Sequence, residues 1–381
     1  MARPARSING GGGWAERAPD GVEVVAVASR TQSRAEAIAT RLKSRPVPYS
    51  ALPAGADIVV VQTPPAQHAS DALQALAAGA AVIIEKPLAM SQKDVDAMVA
   101  AVKKAGVKSC VCFECRYSSQ FLATKALIDA GLLGELHYGE VDYYHGIGPW
   151  YGQFRWNTRK DAGGSSLLTA GCHALDALLL CMGTDVAEVT SYDTKSRSKI
   201  FAPYEYTTSS VSILKFKDGR IGKCAAIVDC LQPYYFHTHL VGSEGSLLDN
   251  KFHSMKLGGL DKAKWSELSM KMLDSGDVSD HPYKTQFQAF FDALDAGVEM
   301  PLTSFPEAAR TFDVLFAADE SAAAGGRHAR VLLIPSTTRH RCLLPQYAAS
   351  FRIAVAIFSG LSMNQSSRFC AYGTAGTSGP A

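Results

Sequence analysis

Between Arg327 and Ala381 the 381-residue sequence has no Lys, Asp or Glu, yet six Arg stand there, at 327, 330, 339, 341, 352 and 368. Removing those six cations takes the formal charge from +2 to −4, a break in composition that marks 327–381 as an atypical tail outside the folded unit. Other absences exclude whole classes. The basic N-terminus, MARPARSINGGGGW, has no apolar stretch behind it and so is not a secretory signal. The late apolar patch Ile353 to Phe358 is far too short to span a bilayer, so no membrane is expected. No basic stripe runs through the body, which argues against a nucleic-acid partner. The nine cysteines are odd in number and scattered, as reduced cytoplasmic thiols are, rather than set in a disulfide framework.

With 47% apolar and 19% charged residues the chain is globular and long enough for two domains. Val22–Ala28, Asp57–Val61, Ala81–Ile84 and Val107–Cys112 are short runs apolar at nearly every position, as strands covered on both faces must be. Helical stretches alternate with them. Pro65 suits a first turn and Gly79 the end of 65–78. Ser91 with Asp94 reads as a cap, and Gly106 closes that helix. The alternation predicts βαβ units and a Rossmann-like parallel sheet over 1–117. After Tyr117 the pattern changes. A helix is expected over 119–130, closed by Gly131. Longer strands follow at Glu135–Tyr144, Val186–Tyr192 and Ser209–Lys217, the last turning back through Asp218-Gly219. A helix opened by the box Ser304-Phe305-Pro306-Glu307 runs to Ala324. This predicts an α+β domain over 118–326 with a large, mostly antiparallel sheet.

The ordinary opening of a dinucleotide-binding domain is missing. Before Val22 there is neither an apolar strand nor room for a crossover helix, only Gly10–Gly13 and the eight residues Trp14 to Gly21. The first βα unit is therefore expected to be absent or degenerate, leaving the sheet with an unpaired neighbour.

Two segments carry chemistry. Glu85-Lys86-Pro87 ends a buried strand at the sheet edge where ligands bind. Lys86 there can bond a substrate hydroxyl with a pKa lowered by desolvation, or it is a surface lysine paired with Glu85. In AGGSSLLTAGCHALDALLL, 162–180, His173 and Asp176 share a helix face. His173 either moves a proton near neutral pH or is a packed histidine bonded to Asp176. Ser29-Arg30-Thr31 follows the strand whose end reads the adenosine ribose; an arginine there suits a 2′-phosphate, which favours NADP. The stretch 143–160 crowds aromatic rings and cations, which either pack a sheet and a cationic loop or contact a polyhydroxylated ring; for such contact Trp156 and Arg159 are the candidates. No metal site is expected. Cys110, Cys112 and Cys115 have no second cluster, and His237 with His239 has no third ligand nearby in sequence.

Taken together, EKP at a strand end, GG…GCHALD in the second domain, Thr63-Pro64-Pro65-Ala66-Gln67-His68, Arg116-Tyr117 and TSFPEAARTFDVLFAADESAAAGG resemble the Gfo/Idh/MocA oxidoreductases over about 22–326. The resemblance implies an NAD(P)-dependent enzyme acting on a sugar, cyclitol or related polyol. Lys86 and His173 would be catalytic, with Thr169 and Asp176 beside them. Ser29, Arg30, Thr63, Pro64, His68, Glu85, Lys86 and Arg116 would stand at the cofactor. It also implies a homodimer or homotetramer. One departure is Thr169, where many members have Asp four residues before the histidine; His173 would then lean on Asp176 or on nothing. A non-catalytic sensor of dinucleotide or sugar, and an NAD-dependent glycosidase, are the alternatives on the same scaffold.

Overall fold

The structure, a computed structural model, describes residues 22–52, 55–273, 281–331 and 351–357. Gly10–Gly13 lie outside the described residues. The first sheet is wholly parallel. Its strands β1 (Val22–Ser29), β2 (Arg45–Pro46), β3 (Ile58–Gln62), β4 (Ala81–Ile84) and β5 (Ser109–Val111) are joined by helices Gln32–Arg41, Pro65–Ala77 and Gln92–Ala105. The end signals act as expected. Pro65 opens its helix, Ser91 Oγ accepts from the Asp94 N–H at 3.2 Å, and Gly106 stops the chain at φ 68°. Val95, Met98, Val99 and Val102 form the buried stripe of that helix.

The second sheet has nine strands: β6 (Leu136–Tyr144), β7 (Val186–Thr194), β8 (Ser209–Phe216), β9 (Ile221–Ile227), β10 (Tyr235–Gly242), β11 (Gly245–Leu248), β12 (Lys251–Ser254), β13 (Ser266–Glu267) and β14 (Ala329–Arg330). All neighbours run antiparallel except β6 and β9. Gly219, at φ 92°, turns the β8–β9 hairpin as only glycine does cheaply. Helices Cys172–Met182 and Phe305–Ala323 cover one face. The stretch Lys160–Met182 is apolar and long enough to cross a bilayer, but it is buried inside the protein.

Part of the segment expected to lie outside the folded unit belongs to it. Ala329 and Arg330 pair with β7. Phe351–Ile357 is a strand, β15, inserted in parallel between β1 and β3, so that the order is β2-β1-β15-β3-β4-β5. The position between β1 and β3 is filled by this late segment, and neither strand lacks a neighbour there. The physical reason is burial on both faces. Ile353, Val355 and Ile357 pack with Val27, Ile58, Val60 and Phe290, while Ala354 and Ala356 face the opposite core. All five are at most 1% exposed. Removing that much apolar surface from water, at about 25 cal/mol per Å², outweighs the modest extra cost of closing a longer loop.

Candidate active site

Strand β4 ends at Ile84 and delivers Glu85, Lys86 and a cis Lys86-Pro87 bond to the carboxyl edge of the parallel sheet. Lys86 Nζ reaches across to the second domain and donates to the Thr169 carbonyl at 2.9 Å. Thr169 lies in a wide π-type turn, Leu167–Gly171, that runs straight into helix Cys172–Met182, with His173 in its first turn. Such widened turns recur at functional sites. Gly171 lets this turn press on β9: a Cβ there would lie 2.2 Å from that of Ala226. Lys86 and His173 are thus brought together, and the lysine's charge acts on the imidazole.

A third group completes the site. Glu114, in the turn Glu114–Tyr117 after β5, is fully buried. Its Oε1 accepts from His281 Nδ1 at 2.7 Å and lies 3.8 Å from His173 Nε2. Three buried atoms here have no protein partner: Glu114 Oε2, His173 Nδ1 and His281 Nε2. Phe113 stands edge-on to His173 and stacks on Phe312, closing the apolar side.

Electrostatics follow from burial and these neighbours. Desolvation pushes His173 down to about 3, with Lys86 and His281 acting the same way; Glu114 alone opposes them. Burial and the Glu114 charge raise Glu85 to about 7. Burial would raise Glu114 as well, but the His173 charge and the bond from His281 hold it below the ordinary carboxylate range. Lys86 corrects an expectation. Desolvation does lower its pKa, but Cys172, Tyr151, Glu85 and Glu114 outweigh that, and the net shift is upward. Lys86 is therefore an ammonium at neutral pH, able to donate and to stabilise negative charge rather than to act as a base.

Several candidates are placed differently from expectation. Asp176 does not touch His173. It takes Arg116 Nε and one terminal nitrogen at 2.6 and 2.7 Å and accepts from Thr311 Oγ1 at 2.8 Å. Arg116 in turn donates to the Leu302 carbonyl at 2.5 Å, so each guanidinium nitrogen has a partner within the protein. A buried guanidinium must be paired, and Asp176 supplies the charge. The Thr169 hydroxyl lies near Tyr206, whose own hydroxyl donates to the Asn157 carbonyl at 2.6 Å. His68 Nδ1 meets the Pro87 carbonyl at 2.6 Å and Nε2 the Thr63 carbonyl at 2.8 Å, while Thr63 Oγ1 donates to Asp71 at 2.8 Å. Thr63 and His68, next to Pro64, therefore brace the Lys86 loop. Trp156 is half-buried on helix Phe154–Asn157. Arg159 is 59% exposed and turns outward to Asp161. Tyr151, from the same segment, is the residue that acts on Lys86.

Glu114 and His281 gave no signal in sequence, since neither belongs to a motif and they stand far apart along the chain. A third potential ligand, Glu140, does meet His237 and His239 across neighbouring strands, but Lys223 and Asp249 already engage that group.

The carboxyl ends of β1, β15, β3 and β4 share one edge, where Ser29, Gln62 and Lys86 stand. Gln62 Oε1 is buried there without a partner. An unfilled acceptor at the strand ends of an open parallel sheet fits a dinucleotide, which such crevices bind.

Residues 12–113 match the oxidoreductase family with NAD-binding Rossmann fold, and residues 121–248 match the GFO/IDH/MocA C-terminal domain. The chain is 26% identical over 231 residues to scyllo-inositol 2-dehydrogenase (NAD(+)) of Bacillus subtilis strain 168, which covers 60% of this chain and 66% of the relative. It thus spans just under two thirds of that relative's length. It is 24% identical over 311 residues to D-xylose 1-dehydrogenase (NADP(+)) 2 of Haloferax volcanii, covering 79% of this chain and 91% of the relative. The crystal structure of an NAD binding oxidoreductase from Klebsiella pneumoniae superposes with a TM-score of 0.71 at 21% identity, covering 84% of this chain and 94% of that one. The two matched regions meet where Lys86 reaches Thr169, and the chain belongs to the Gfo/Idh/MocA oxidoreductase family.

Proposed function

We propose that this chain is an NAD(P)-dependent oxidoreductase of a sugar, cyclitol or related polyol. The observation that carries the reading is the meeting of Lys86, from the parallel sheet, with the turn that leads into the helix bearing His173. The nicotinamide, when bound, accepts or returns the hydride. Everything else falls to the chain. The Lys86 ammonium donates to the reacting oxygen and stabilises it as it becomes alkoxide-like. The neutral imidazole of His173 accepts the hydroxyl proton during oxidation and gives it back during reduction. Phe113 and Phe312 keep water from the imidazole. A polyol suits the three unfilled buried atoms, because neighbouring hydroxyls both donate and accept.

Arg30, exposed at the carboxyl end of β1, supports NADP over NAD. The outer face of the large sheet carries exposed Val211, Ile213, Ile221 and Tyr235, which supports a homodimer or homotetramer packed through it. The seven described cysteines are free thiols, in keeping with a reducing cytoplasm. The direct test is a panel of sugars and cyclitols with each cofactor, following the nicotinamide absorbance together with product. Sugar release without net cofactor change would identify a glycosidase instead, and binding without turnover a sensor.

A further inference from the structure

A proton-accepting imidazole buried beside an ammonium needs a counter-charge, or the imidazolium is too costly to form. Neither Thr169 nor Asp176 supplies it. Thr169 has no charge. Asp176 is bound on both oxygens by Arg116. The carboxylate that does face His173 is Glu114, 3.8 Å from Nε2, contributed by the turn after β5 rather than by the histidine's own helix. It is fixed from the far side by His281, which precedes helix Tyr283–Ala296 and donates to it at 2.7 Å. The Cys115 thiol adds a weak contact at 4.0 Å.

We propose that Glu114 is the positioning residue of His173: a carboxylate supplied from the cofactor domain orients the imidazole and stabilises it when it carries the substrate's proton, in place of the acid absent at position 169. The gap of 3.8 Å closes to a charge-assisted hydrogen bond with a small ring rotation, as catalytic contacts do when substrate binds. During oxidation a bound nicotinamide would supply the acceptor for the hydride that leaves the alcohol's carbon. The hydroxyl proton passes to His173, the substrate becomes a carbonyl, and Glu114 stays ionised throughout. His281 holds the carboxylate's rotamer from the opposite side.

The ionisable groups around this pair come from every neighbouring element. Lys86 and His281 oppose a charge on His173. Glu85, after β4, sits close enough to Glu114 to be raised by it. Tyr283 and Cys115 feel the Glu114 charge as well, and burial keeps both neutral.

The inference rests on the dehydrogenase reading, and its test has a readout that does not. In the full-length chain, Glu114→Gln is expected to lower kcat roughly 10- to 100-fold with little change in KM, and Glu114→Asp to recover part of the loss. The acid limb of the rate profile should move to lower pH in Glu114→Gln, because the one neighbour favouring the imidazolium is gone. Nuclear magnetic resonance of the histidine rings, with the His173 signal assigned by its loss in His173→Asn, should show the same downward move without cofactor or substrate. A Glu114→Gln protein with unchanged kcat and an unmoved His173 titration overturns the proposal. So does a Glu114→Asp protein as impaired as the Gln variant while His173 titrates as in the parent, which would make Glu114 part of the scaffold alone. If no polyol is turned over at all, the dehydrogenase reading fails, while the ring titration still reports whether the two side chains are coupled.

Discussion

Asp176 grips Arg116 at 2.6 and 2.7 Å across the boundary between the two domains, and the histidine one helical turn earlier is left to a different carboxylate. The pair ties the turn after β5 to helix Cys172–Met182, and Thr311 joins helix Phe305–Ala323 to the same oxygens. Asp176→Ala should therefore act on stability. Leaving a buried guanidinium without its partner costs about 3–5 kcal/mol. Denaturant unfolding of the variant should show that loss, while kcat per folded molecule stays within a few-fold of the parent. A mild change in stability together with collapse of kcat would return Asp176 to the catalytic set.

Lys86→Ala should remove turnover while the chain still binds cofactor. The ammonium reaches the π-type turn directly, donating to the Thr169 carbonyl at 2.9 Å. Loss of a positioned proton donor lowers kcat by about 10²- to 10⁴-fold. Fluorescence titration with NADPH checks that binding survives. Turnover within ten-fold of the parent would show that the site lies elsewhere.

His68 predicts a pH dependence. A neutral imidazole donates only one proton, yet both its nitrogens face carbonyl oxygens, and burial still drives its pKa from 6.5 down to about 4. The folded value lies below the unfolded one, so the stability is present above pH 6.5 and is lost as pH falls towards 4. For a fully buried group a shift of that size is worth about 3 kcal/mol. Melts between pH 7 and 4.5 should show His68→Asn less acid-sensitive than the parent, though less stable at pH 7. Equal slopes for the two proteins would contradict it.

Much of this was legible along the chain because it is local. Ser91, Gly106 and Ser304 act within one helical turn, and Glu85-Lys86-Pro87 announces a strand end by the abrupt stop of an apolar run. What was illegible is contact through space. Arg116 and Asp176 are 60 residues apart, and Glu114 and His281 are 167 apart. Periodicity cannot pair such residues, so Asp176 was assigned to the neighbour it has in sequence, His173. The tail misled for another reason. Its charge bias is a property of all 55 residues from Arg327, whereas a strand needs only seven, and Arg352 is exposed at the start of these while the next five are buried.

Arg30→Ala should raise KM for NADPH about ten-fold or more and leave KM for NADH within two-fold, since a charge-assisted contact to a 2′-phosphate contributes roughly 1.5–3 kcal/mol. Arg30 lies just beyond Ser29, exposed at the ribose-reading end of β1. Parallel loss for both cofactors would place its effect on the fold instead.

The inserted strand makes the cofactor domain depend on the end of the chain. β15 pairs with Val22–Ser29 on one side and Ile58–Gln62 on the other, so a chain ending at Val331 loses both ladders at the centre of the sheet. Two long strand edges would be bared next to each other, a template for association with other chains. Truncation after residue 331 should therefore give aggregated protein, and adding a separate peptide of residues 351–357 should partly restore solubility. A point variant tests the same packing without removing the ladder. Ile353 is fully buried among Val27, Ile58 and Phe290, and Ile353→Ala should cost about 2–5 kcal/mol. Arg352→Ala, on the exposed neighbour, should cost little. Denaturant midpoints for the two variants decide the matter: if Ile353→Ala were as mild as Arg352→Ala, the strand would not be part of the folded sheet.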